Sequence, residues 1–171
     1  MARILSILLI ILLFPLFLIL ALIVIIDDGF PVFFKQQRVG KFNRRFTIYK
    51  FRTMKKKTPD IATHLLKSDK FAYTKTGPFL RKYSLDEIPQ LLNIFKNDIT
   101  YIGPRPALHN QNDLIQMRTL KGIDKLKPGI TGWAQVNGRD SLSISEKVYL
   151  DFYYMVNKSH MLDLKILMMT F

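Results

Sequence analysis

The chain has 171 residues, with 26 Lys and Arg against 13 Asp and Glu, no cysteine and a formal net charge of +13. That length supports one domain with a hydrophobic core and hardly two, and the charge favours polyanionic partners: nucleic acid, an anionic membrane surface or phosphorylated substrates. The lack of cysteine excludes disulfides, thiolate catalysis and Cys-based zinc sites, and His64, His109 and His160 stand too far apart for metal-ligand spacing.

From Ile4 to Ile26 the run ILSILLIILLFPLFLILALIVII carries no charge, and Ser6 is its only polar residue. As a helix it would be about 34 Å long at about 1.5 Å per residue, enough to cross a bilayer core. It is too long for the apolar part of a signal peptide, and IIDDGFP after it lacks a small-residue cleavage site, so the segment is expected to stay attached. A buried core helix is the competing reading, disfavoured because the run has no polar face. Pro15, near the middle, removes a backbone hydrogen bond and clashes with the preceding turn. Two forms stay open: a kinked spanning helix, which the pattern alone favours, and a re-entrant helix that enters and leaves on one face.

Asp27 to Pro31 reads as a turn at the membrane boundary. Two β-type runs follow, VFFKQQ and RFTIYKFR, joined by the basic loop RVGKFNRR, as in a hairpin with a long connection. Lys50 and Arg52, two residues apart, should leave the same strand face. KKKTPD, residues 55–60, reads as a charged linker. Residues 77–97 carry helix signals, ITYI is a short strand before Gly103-Pro104-Arg105-Pro106, and KPGITG and Asn137-Gly138 are turn signals around Trp133. The tail SHMLDLKILMMTF is apolar on most of its faces and is expected to lie on the membrane surface as an amphipathic helix. It stops abruptly, which suggests that the natural chain continues past Phe171. No internal repeat is present.

Within the helical stretch stands YSLDEIPQLLN, with the adjacent carboxylates Asp86 and Glu87. A structural account is available: Ser84 and Glu87 match the S-x-x-E capping box, or Asp86 is itself the N-cap, worth about 1 kcal/mol. The surroundings favour chemistry. Arg81 and Lys82 precede the pair, and Arg105 is held between two prolines whose fixed φ angles present its guanidinium stiffly. Carboxylates among fixed cations beside a membrane suggest a reaction at phosphate, with a divalent ion.

Three blocks, PVFFKQQRVGKFNRRFTIYKFRTM, GPFLRKYSLDEIPQLLNIFKNDITYIGPRP and LKPGITGWAQVNGR, resemble in order the signature blocks of the bacterial sugar transferases. More narrowly, the chain resembles the small monotopic phosphoglycosyl transferases, from about residue 30 onward. The resemblance implies transfer of a phospho-sugar from a UDP-sugar, with an N-acetylated sugar the leaning, to polyprenol (undecaprenyl) phosphate with release of UMP. It implies Asp86 as nucleophile through an aspartyl-phosphosugar intermediate, and Glu87 as a ligand of Mg²⁺. It implies phosphate or substrate contacts for Lys50 and Arg105, with Arg52 and Arg81 as further cations. Gln135, Asn137 and Arg139 fall in a block associated with the active site, and Asp151 matches a recurrent acidic position.

The same resemblance makes the N-terminal helix re-entrant, although Phe14 stands where the family has a serine before its proline. The expected fold is α/β (α+β): a mainly helical small domain with a short β-hairpin or sheet. A re-entrant membrane helix over 1–28 precedes a membrane-associated catalytic domain over 29–171, on the cytoplasmic face of the bacterial inner membrane. The competing function is a non-enzymatic basic module that binds membrane lipids or scaffolds other proteins. Nucleic acid is not expected as a partner, since no nucleic-acid motif is visible.

Overall fold

A computed structural model describes residues 2–56, 58 and 73–170. Most of the expected charged linker at 55–60 lies outside the described residues. Two compact units divide the chain: residues 1–36 with 47–95, and residues 37–46 with 96–171. The N-terminal helix packs within the first unit.

That helix, α1 (Ala2–Asp28), runs through Pro15 as one element. By length and composition it could cross a membrane. Its side chains sort by face. Ser6, Leu20 and Val24 are buried, whereas Leu8, Ile11, Leu12, Phe14, Leu22 and Ile26 stay exposed. Beyond Pro15 the buried stripe packs on Val32, Phe51 and Leu80, and Phe17 closes an aromatic cluster with Phe33 at 5.7 Å and Phe51 at 5.0 Å. Each fully buried aliphatic or aromatic side chain here is worth about 1.5–3 kcal/mol. The helix ends where Gly29 takes a left-handed φ of +70°, its N–H bonding back to the Ile25 carbonyl at 2.8 Å. This is a glycine C-cap at the expected turn.

The expected hairpin is present as β1 (Phe33–Val39) and β2 (Arg45–Phe51). The helical stretch at 77–97 is broken into three pieces: α2 (Gly77–Lys82), a 3₁₀ turn over Leu85–Gln90 and α3 (Leu91–Phe95). The break has a local cause. Ser84 sits at φ +53°, in the left-handed region that a helix cannot continue through, and Pro89 lies inside the following turn.

In the second unit β1 pairs antiparallel with β4 (Ala107–Leu108), Val39 opposite Ala107. The expected strand is β3 (Thr100–Ile102). KPGITG, read as a turn, instead supplies β5 (Gly129–Thr131), parallel to β3 with Thr100 opposite Gly129. Glycine makes that pairing possible, since a Cβ on Gly129 would stand 2.2 Å from the Gly103 nitrogen. Around these strands pack α4 (Asn112–Leu120), α5 (Trp133–Val136), α6 (Ile144–Val156) and α7 (His160–Thr170). Ala107, Leu114, Ile123 and Val148 form the buried cluster. The tail helix α7 buries Ile166 and leaves Met161, Leu164 and Met168 exposed.

Candidate active site

Asp86 and Glu87 occupy the second and third positions of the 3₁₀ turn, 4% and 8% exposed. Neither capping arrangement forms. Ser84 makes no side-chain cap bond in its left-handed conformation, and Asp86 lies inside the turn rather than before it. The Glu87 carboxylate is drawn to Lys50, whose Nζ stands 2.6 Å from Glu87 Oε1 and 3.9 Å from Asp86 Oδ2. A real S-x-x-E capping box exists elsewhere, at Ser143 and Glu146 ahead of α6. The same four-residue pattern marks it in the sequence.

Two buried carboxylates side by side repel each other and lose hydration, so the shared ammonium offsets a real electrostatic cost. Its placement is fixed by Asn93, which is wholly buried on α3. The Asn93 Nδ2 donates to the Thr47 carbonyl at 2.7 Å, and its Oδ1 accepts from the Tyr49 N–H at 3.1 Å. One side chain thus fixes β2 against the helix that follows the dyad, one residue before Lys50. Asn93 was not among the expected site residues, and nothing in the local sequence marks a partner more than forty residues away.

Arg52 does not share the destination of Lys50. It is buried, and its Nη2 donates to the Asp28 carbonyl at 2.8 Å and the Gly29 carbonyl at 2.6 Å, while Nη1 donates to the Pro31 carbonyl. It also pairs with the Asp28 carboxylate at 3.0 Å. The guanidinium therefore closes the carbonyl end of α1, where the helix dipole favours a cation. Arg81 donates through Nε to Thr53 Oγ1 at 2.9 Å and through Nη1 to the Tyr73 hydroxyl at 3.1 Å, and its guanidinium lies 5.0 Å from the Tyr73 ring centroid.

The remaining expected residues belong to the second unit. Arg105 is in the loop between β3 and β4, Gln135 is on α5, and Arg139 is exposed at φ +51° after the turn at Asn137 and Gly138. Asn137 caps α5, donating from Nδ2 to the Trp133 carbonyl at 2.8 Å. Both polar ends of the Gln135 amide are buried without a hydrogen-bond partner. Asp151 is 1% exposed and accepts on Oδ2 from Arg118 Nε at 3.0 Å and Nη2 at 2.5 Å. Burial pushes its carboxyl above the ordinary range while Arg118 beside it pulls the other way.

Among the described residues no group of three acidic or histidine side chains gathers where it could hold a metal ion. The first unit offers the adjacent pair Asp86 and Glu87. A pair of that kind fits a hard cation such as Mg²⁺, which takes one or two protein carboxylates and fills its other positions with water and substrate phosphate.

Comparison with known proteins shows the family of the chain. The sequence profile of the family described as bacterial sugar transferase matches residues 1–171. The uncharacterised sugar transferase EpsL of Bacillus subtilis strain 168 is 49% identical over 142 residues, which cover 83% of this chain and 69% of that protein. The UDP-glucose:undecaprenyl-phosphate glucose-1-phosphate transferase of Escherichia coli K12 is 38% identical over 98% of this chain. The UDP-N-acetylgalactosamine-undecaprenyl-phosphate N-acetylgalactosaminephosphotransferase of Aeromonas hydrophila is 36% identical over 91% of this chain. The match spans 38% of the length of each of these last two proteins.

Proposed function

Because the chain belongs to the bacterial sugar transferase family, we propose that it moves a phospho-sugar from a UDP-sugar to undecaprenyl phosphate and releases UMP. The names of its E. coli and Aeromonas relatives supply the donor class and the acceptor. Those relatives carry glucose and N-acetylgalactosamine respectively, so an N-acetylated sugar stands as one of the donors to try. The observation that carries the reading is the buried Asp86–Glu87 pair facing the Lys50 ammonium.

In the first step an Asp86 carboxylate oxygen attacks the β-phosphorus of the UDP-sugar. The bond from that phosphorus to the bridging oxygen breaks, and UMP leaves with the electron pair. An aspartyl-phosphosugar remains. In the second step a phosphate oxygen of undecaprenyl phosphate attacks the same phosphorus, giving the polyprenyl-diphospho-sugar and returning the Asp86 carboxylate. Division into two displacements lets one nucleophile serve a soluble donor and a lipid acceptor in turn.

Lys50 supports this assignment by its unequal contacts. It binds Glu87 closely and stands farther from Asp86, so it lowers the repulsion an incoming diphosphate meets while Glu87 takes the shorter contact. Glu87, with Asp86 beside it, would hold Mg²⁺, which when bound supplies charge neutralisation at the diphosphate. Arg105 is assigned to the substrate's phosphates, to which a guanidinium offers a planar fork of donors.

The exposed apolar side chains of α1 and α7 support membrane association. We assign α1 a re-entrant course with the catalytic region facing the cytoplasm, where UDP-sugars are found. The test of the function is UMP release from a panel of UDP-sugars in the presence of undecaprenyl phosphate. A non-enzymatic basic module would bind anionic vesicles in a salt-sensitive way and release no UMP from any donor.

A further inference from the structure

The loop Gly103-Pro104-Arg105-Pro106 has an unusual hydrogen-bonding problem. The Gly103 N–H bonds to the Thr131 carbonyl at 2.9 Å, but Pro104 and Pro106 have no N–H with which to extend that ladder. The carbonyls of Pro104, Arg105 and Pro106 are nevertheless taken, each by a different donor. The Gly129 N–H reaches the Pro104 carbonyl at 3.0 Å. Arg118 Nη1 reaches the Arg105 carbonyl at 2.8 Å, and Arg38 Nη1 reaches the Pro106 carbonyl at 3.1 Å.

Arg118 is in turn held by Asp151. Its Nε and Nη2 both donate to Asp151 Oδ2, while its third nitrogen is the one that reaches Arg105. Asp151 comes from α6 and Arg118 from α4, so two helices of the second unit converge on one backbone oxygen. A charge-assisted bond of this type is roughly twice as strong as a neutral one. Arginine holds these donors in one rigid plane, directed to a carboxylate on one side and a carbonyl on the other.

We propose that Asp151 and Arg118 are positioning residues for Arg105, fixing the backbone from which its guanidinium is presented. The proposal rests on the assignment of Arg105 to the substrate's phosphates. It gives Asp151 a role other than contact with substrate, from which its burial removes it.

The experiment replaces the pair together, as Asp151→Leu with Arg118→Met, so that no uncompensated charge is left buried and the fold is preserved. In the full chain with undecaprenyl phosphate and the best UDP-sugar of the panel, kcat/KM is expected to fall at least tenfold. In an Arg105→Ala background the same double replacement should cost less than twofold. An equal loss in both backgrounds would show that the pair acts through the fold at large and would overturn the proposal. Hydrogen exchange of peptides spanning residues 103–108 provides a reading independent of turnover. Faster exchange in the double variant is expected, with peptides from α1 unchanged, and unchanged exchange at 103–108 overturns the proposal. If Arg105→Ala alone leaves kcat/KM intact, or the native chain turns over no donor, the functional assignment fails, and the exchange measurement still decides the positioning.

Discussion

The Lys50 ammonium lies 2.6 Å from the Glu87 carboxylate, a strand residue meeting a 3₁₀-turn residue 37 positions away. Asp86 lies 3.9 Å from the same nitrogen. Lys50→Met keeps the aliphatic stem and removes the charge. UMP release should fall by about 10²–10³-fold, the range for losing one positioned electrostatic contact at a reacting centre. Lys50→Arg should retain part of the rate. Steady-state turnover of the two variants checks the ordering.

Asn93→Ala removes both bonds to β2 and leaves the Thr47 carbonyl and the Tyr49 N–H without that partner. Unsatisfied buried groups cost about 1–3 kcal/mol each. A loss of about 2–4 kcal/mol in unfolding free energy is expected, with turnover falling in parallel because Lys50 follows Tyr49 on the strand. Denaturant unfolding in detergent measures the first, and the UMP assay the second.

Much of the secondary structure was legible because it depends on local pattern. The uninterrupted apolar run, the β-type runs at 33–39 and 45–51 and the largely apolar tail each announce an element through their own neighbouring residues. What escaped depends on distant partners or on backbone conformation. The helix at 77–97 breaks at Ser84, whose left-handed φ no residue pattern announces. KPGITG has turn composition, yet its glycines serve a close parallel pairing with β3. Lys50 and Arg52 looked equivalent on one strand face, yet Arg52 is taken up by carbonyls at the end of α1. Asp151 was visible as an acidic position, but its partner Arg118, 33 residues earlier, had no signal at all.

The two S-x-x-E sequences offer a direct comparison. At Ser143 the hydroxyl accepts from the Glu146 N–H at 3.3 Å, and Ser143→Ala should cost about 1 kcal/mol. At Ser84 no such bond exists and the backbone is left-handed. Ser84→Gly should therefore cost nothing in stability, since glycine adopts that conformation freely. Thermal midpoints of the two variants, measured side by side, test this; a larger loss at Ser84 would contradict the assignment of the true cap.

The re-entrant course of α1 predicts that both of its ends face the cytoplasm. Ala2→Cys introduces a single thiol into a chain that has none. An impermeant maleimide should label it in inside-out vesicles and fail to label it in intact spheroplasts. Labelling only from the outside would establish a spanning helix.

The nucleophile is the point on which the rest turns, and Asp86→Asn tests it. The substitution is isosteric, and the shorter contact of Lys50 with Glu87 is left in place, so the variant should fold with a near-native thermal midpoint. Incubated with UDP-sugar alone, the native chain should gain the mass of one phosphosugar, localised by peptide mapping to Asp86. The Asn variant should gain none and release no UMP. Turnover at the native rate by the folded Asn variant, or an adduct on any other residue, would contradict the account.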